Sequence, residues 1–153
     1  MEKNIKAGDE GQVEGLRIRV RFDYKGVRAG KLFGGKSAEQ VAEEVREQKV
    51  AFLRNVPFQG IHIEDIDLSP DVYTVMDEFS GQTVGFAPAN ITFWADSLDD
   101  ALRFIVKEEF RKVEVLEPDQ AVLTRYDMER LLFKANEALR EFKVYMRRKL
   151  ERS

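Results

Sequence analysis

The sequence has no cysteine and one histidine, His62, in 153 residues. The first absence removes disulfides, thiolate nucleophiles, zinc ribbons and iron–sulfur ligation together. The second confines imidazole chemistry to one position. A Ser–His–Asp triad would have to use His62 itself, and no G-x-S-x-G elbow accompanies it. No apolar run approaches bilayer-spanning length, and the opening MEKNIKAGDEGQVEG lacks the apolar core of a signal peptide. These absences lead to the expectation of a cytoplasmic protein that neither crosses nor binds a membrane.

What is present is apolar enough to fold and charged enough to stay dispersed. Hydrophobic residues make up 43% and charged residues 35%, a globular rather than disordered balance. The length suits one domain with a core that needs no staples. Residues 1–13 are polar and aperiodic and read as a flexible tail, leaving 14–153 as a single α/β domain. The net charge of −3 gives no bulk attraction to nucleic acid. Charge is unevenly spread. Glu64, Asp65, Asp67, Asp71, Asp77 and Glu78 lie between Gly60 and Ser80 with no Lys or Arg, whereas six bases face Glu141 and Glu151 from Arg140 to Arg152. The two regions either meet across a dimer or are each solvated.

LRIRVRFDY alternates strictly, placing Leu16, Ile18, Val20, Phe22 and Tyr24 on one face and Arg17, Arg19, Arg21 and Asp23 on the other. That predicts a half-buried strand. Lys25-Gly26 is read as a turn and 27–33 as a returning strand. Ser37 with Gln40 spells a capping box, and Ala38, Val41, Ala42 and Val45 give a helix over 37–48. VAFL (50–53) reads as a buried strand, and GIHIEDIDL as an edge strand. VYTVMDE and TVGF form a hairpin about Gly81, with Pro88 expected to bend or bulge the return arm. Ser97 caps a second helix carrying Asp99 and Asp100 in its first turn. KVEVLEP is a last strand. A long helix over about 126–149 rises about 36 Å and keeps an apolar stripe to its far end. The order predicts an α+β fold: a ferredoxin-like βαββαβ sandwich, mostly antiparallel with helices on one face, plus extra strands and the C-terminal helix.

GKLFGGKS, Gly30 to Ser37, matches the phosphate-binding pattern G-x-x-x-x-G-K-[ST]. In that reading Gly30, Gly35 and Lys36 hold phosphates, Ser37 binds Mg²⁺, and Asp77 at the end of an apolar strand is the second Mg²⁺ ligand. Three features oppose it. Arg28 interrupts the strand that should precede the loop, Phe33 occupies a loop position, and a hairpin follows Asp77 where a crossover helix is required. Turn and cap chemistry spells the same letters. Arg17, Arg19, Arg21 and Trp94 form a candidate ligand face, which in an RNA-binding sheet would stack and hold single strands, although no RNP-like sequence occurs. His62 with Glu64, Asp65 or Asp67 could bind a metal, but no second ligand cluster supports it. Carboxylate pairs such as Glu64/Asp65, Asp77/Glu78 and Asp99/Asp100 define no catalytic constellation.

The stretch ITFWADSLDDALRFIVKEEFRKVEVLEP (91–118) resembles the last strand–helix–strand of the C-terminal extension domain of WYL-type transcriptional regulators. The resemblance covers about a fifth of the chain and implies a ferredoxin-like arrangement there. No helix-turn-helix or W-Y-L core precedes it, and no functional residue carries over.

The first expectation is therefore a non-enzymatic binding or regulatory module, without cofactor or metal. It would homodimerise through Leu132, Leu139, Phe142 and Tyr145. Phosphate or nucleotide binding at GKLFGGKS is the alternative, and an RNA-binding sheet the second. Nucleic acid is disfavoured as a partner.

Overall fold

In a computed structural model, residues 15–28 and 35–152 are described. The elements run β1 (Leu16–Val27), α1 (Ala38–Asn55), β2 (Ile61–Asp67), β3 (Tyr73–Met76), β4 (Thr83–Ala95), α2 (Leu98–Ile105), β5 (Phe110–Glu117) and α3 (Arg125–Arg152). The sheet has the order β2-β4-β1-β5, with β3 also on β4, and each of these pairings is antiparallel. Among the described residues the architecture is α+β: a five-stranded sheet and three helices, the last of them long and C-terminal.

The alternation in β1 decides which face is covered. Leu16, Ile18, Val20, Phe22 and Tyr24 point into one core with Ile91 and Phe93 of β4. Val50 and Leu53 of α1 and Ala101 and Phe104 of α2 join the same cluster. Burial of these side chains supplies the main folding drive, at roughly 25 cal/mol per Å² removed from water. Phe104 contacts both Phe93 and Phe22 edge-on or tilted, with ring centroids 4.8 and 6.1 Å away.

Three sequence expectations are corrected. VAFL is the end of α1 rather than a strand: Ala38, Ala42, Val50 and Leu53 are its buried residues, one continuous helical stripe. A short apolar run is ambiguous between helix and strand until its neighbours are known. Lys25-Gly26 does not turn the chain, because β1 continues to Val27. Gly26 lies opposite Gly85, and α1 rests on both. A Cβ on Gly26 would stand 2.1 Å from the Ala42 amide nitrogen, and one on Gly85 2.4 Å from the Ala38 carbonyl oxygen. The glycines mark a close backbone approach. Of the expected strand over 27–33, Val27 ends β1, Arg28 is not in a strand, and 29–34 lie outside the described residues. The tail over 1–13 lies outside them too.

The third correction concerns Pro88. β4 runs straight through it, in unbroken register with β1. Asp23, opposite Pro88, donates its N–H to Glu109 of the β5 side at 2.9 Å. The pair therefore exchanges no bonds across β1 and β4, and the proline nitrogen faces the other edge. There β2 ends opposite Asn90 and β3 begins opposite Phe86, so Pro88 falls in the interval between them. Its carbonyl accepts from Arg46 of α1 at 3.1 Å. A missing donor costs nothing where no strand needs it.

Hydroxyl caps start the helices. Ser37 and Gln40 form the expected box, Gln40 N–H to Ser37 Oγ at 3.2 Å and Ser37 N–H to Gln40 Oε1 at 3.0 Å. Ser97 Oγ accepts from Asp100 N–H at 3.1 Å. Thr124 and Asp127 make the same reciprocal pair at the start of α3, at 3.1 and 2.9 Å. α3 packs along α2. Arg130 meets Asp99 at 2.5 Å, and Lys149 pairs with Glu108 at the far end. Among the described residues no helix is long and apolar enough to cross a membrane.

Candidate functional site

Residues Arg17, Arg19, Arg21 and Trp94 share the sheet face opposite the helices, as the alternation requires. Trp94 stands between Arg17 of β1 and His62 of β2 in one cross-strand row. Each guanidinium of the row meets a carboxylate. Arg17 Nε is 2.8 Å from Glu64, with Glu117 at 3.9 Å. Arg19 is 2.6 Å from Glu114, which also takes Lys112 at 2.8 Å. Hydrogen bonds from Lys112 and then Arg19 hold the Glu114 carboxyl below its ordinary range, and the bond to Glu64 raises Arg17. These are exposed pairs that add little to stability, but they leave the row with little net charge for a phosphate backbone.

The third arginine belongs to a tighter cluster. Asp23 is only 2% exposed. It accepts from Arg21 Nε at 2.8 Å and from the Tyr73 hydroxyl at 2.6 Å, with Arg111 at 3.9 Å. Tyr73 stacks on Phe86 at 5.3 Å, and Arg111 lies over the same ring at 5.4 Å. Desolvation first, then the bond to Asp23, raises the tyrosine. The β3 hairpin arm thus closes one end of the open face over a fully paired carboxylate. Charge-assisted bonds of this kind are short because a charged partner strengthens them.

The phosphate-loop residues lie as follows. Gly30 is outside the described residues. Lys36 pairs with Glu44 one and a half turns into α1 at 2.5 Å, and the Ser37 hydroxyl is engaged as the helix cap. Asp77 lies in the hairpin turn, accepting from Phe79 N–H at 3.1 Å and Ser80 Oγ at 2.9 Å. Those bonds hold its pKa below the ordinary value, that of Phe79 first. Gly35 and Ser37 border one groove with Gly81, Gln82 and Thr83 of the hairpin. His62 Nε2 meets Asp96 at 2.9 Å, not the acids beside it in sequence. Among the described residues no group of three His, Asp or Glu could hold a metal.

The α3 residues expected to form a dimer contact divide between two environments. Leu132 and Leu139 are 71% and 57% exposed. Phe142 and Tyr145 instead face a cavity of about 280 Å³ between α3, the end of α2 and the turn into β5. Tyr145 donates to Glu108 at 3.5 Å there. Burial first, then the charge on Glu108, raises Tyr145. Lys49, Arg103 and Lys107 also line this cavity. Lys107 is the residue that sequence reasoning missed. Its ammonium lies 5.9, 5.4 and 5.0 Å from the ring centroids of Phe22, Phe58 and Phe104. Desolvation lowers its pKa, with Lys49 assisting and Glu109 opposing. No spacing could have signalled it, because its three rings come from separate stretches of chain. By comparison with known families, curated proteins and solved structures, the chain matches none.

Proposed function

We propose that the protein is a binding or regulatory module that acts as a homodimer, two α3 helices packing against each other. The observation that carries this reading is an exposed apolar stripe that α2 leaves uncovered. Met128, Leu132, Leu139 and Leu150 are 49%, 71%, 57% and 70% exposed, although α3 also packs on α2. With Ala135 and Met146 they follow a 4,3,4,7,4 spacing, the seam of a helix pair, with Phe142 turned to the cavity. Only Asp127 and Ala138 of its 28 residues are buried. A helix about 42 Å long with such a seam offers a contact of the extent that stable dimers use. A second copy fits because the seam is self-complementary about Leu139, as an isologous interface requires.

The same reading takes the fold as ferredoxin-like. With β3 set aside as an addition to the β4 edge, the order β1-α1-β2-β4-α2-β5 and the sheet order β2-β4-β1-β5 support a split βαβ arrangement.

Sedimentation at micromolar concentration tests the dimer. The wild type should sediment as a dimer and Leu139→Glu as a folded monomer with unchanged circular dichroism. A wild type that is monomeric at 100 micromolar, roughly a hundredfold above the Kd of a modest interface, refutes the reading.

A further inference from the structure

The cavity beside α3 contains a lysine in an unusual setting. Three phenyl rings surround the Lys107 amine, at 5.0 to 5.9 Å from their centroids. Phe22 and Phe104 are core side chains, so the amine caps the end of the hydrophobic core while bordering an open volume of about 280 Å³. Among the described residues no carboxylate hydrogen-bonds or pairs with it. Glu108, the nearest in sequence, is engaged by Lys149 and Tyr145. Glu109 acts on Lys107 only at a distance. Arg103 and Lys49, on the same cavity wall, make no ion pair among the described residues either.

We propose that Lys107 is a nucleophilic amine, and that the cavity binds a small carbonyl compound bearing a carboxylate, such as an oxo acid, which condenses with it to an imine. Arg103 and Lys49 receive the carboxylate, because they are the cavity's unpaired cations. The rings flank the amine on its core side and desolvate it while it still borders the open volume, the setting in which a lysine becomes a nucleophile. The lowered basicity agrees, since less of the amine is held as ammonium at neutral pH. In the step itself, the lone pair of unprotonated Nζ forms a bond to the carbonyl carbon, the C=O π pair moves to oxygen, and one N–H proton passes to that oxygen. The resulting carbinolamine loses its hydroxyl with the second N–H proton as water and leaves C=N. Nothing is oxidised or reduced. This inference stands apart from the dimer reading, since the cavity is complete within one chain.

Glyoxylate with cyanoborohydride at pH 7.4 tests it, the hydride serving only to trap the imine for peptide mass mapping. Eleven lysines compete. Lys107 should be labelled several-fold faster than exposed Lys112, because desolvation leaves more of its amine unprotonated. Lys107→Arg, which keeps a cation over the rings, should remove the fast site. Should that variant not fold, Arg103→Ala serves: it should slow glyoxylate labelling of Lys107 and leave labelling by uncharged acetaldehyde unchanged. Labelling of Lys107 no faster than Lys112 overturns the proposal. Equal sensitivity of the two aldehydes to Arg103→Ala overturns its carboxylate half.

Discussion

Tyr24 shows how one buried group sets a limit on stability. It is 3% exposed at the end of the β1 core face, and burial, assisted by Glu109, pushes its phenol far above the ordinary value near 10. An unfolded chain releases this proton above about pH 10 and the folded one retains it. The folded state then binds more protons, so stability is fully present below that pH and falls as pH rises past it. Urea midpoints from pH 8 to 11.5 should therefore decline above pH 10 in the wild type. Tyr24→Phe should flatten that decline, because it removes the group whose proton the folded chain retains. An equally steep decline in the variant would sink the assignment. At this scale the sequence was readable where one residue decides an outcome locally: the Arg17, Arg19, Arg21 face and the Gly81 turn, with φ +69°, are where alternation and turn chemistry put them. Gly26 was misread because its role comes from a helix backbone laid over it. Lys107 was missed because the rings around it meet only in the fold.

Elements are stabilised unequally, and α3 depends most on its ends. α1 lies against β1 and β4, whereas α3 packs along α2. Isolated helices are marginal in water, so the Thr124–Asp127 box and the Lys149–Glu108 pair hold a helix with few buried residues of its own. Thr124→Ala should cost about 1 kcal/mol. The loss should appear first as faster hydrogen exchange in the opening turns of α3 and not in β1 or β4, since poorly buried elements open before the core. Uniformly faster exchange across the sheet would show that α3 is no separate opening unit. The sequence TRYD carries this cap as plainly as Ser37 and Gln40 carry theirs. The end of α1 was less legible, because VAFL fits either period and only the packing of Val50 and Leu53 beside Ala42 decides for helix.

At the scale of the whole molecule, the proposed pairing through α3 has a direction that charge distribution would select. The half of α3 from Arg125 to Ala138 has Arg125, Arg130 and Lys134 against Asp127, Glu129 and Glu137. The half from Leu139 to Arg152 has six bases against two acids. A parallel pair would set two basic ends side by side, whereas an antiparallel pair sets each against a neutral half. An antiparallel seam centred on Leu139 brings Leu132 of one chain opposite Met146 of the other, while the two Leu132 positions lie about 21 Å apart, 14 residues at 1.5 Å each. A chain free of cysteine makes this directly measurable. Disulfides form only when Cα atoms approach within about 7 Å. Under mild oxidation, Leu132→Cys mixed with Met146→Cys should give a cross-linked heterodimer, and Leu132→Cys alone should give none. Efficient self-cross-linking of Leu132→Cys would mean that the helices run parallel, that charge does not choose their direction, and that the contact must find its specificity in the seam residues alone.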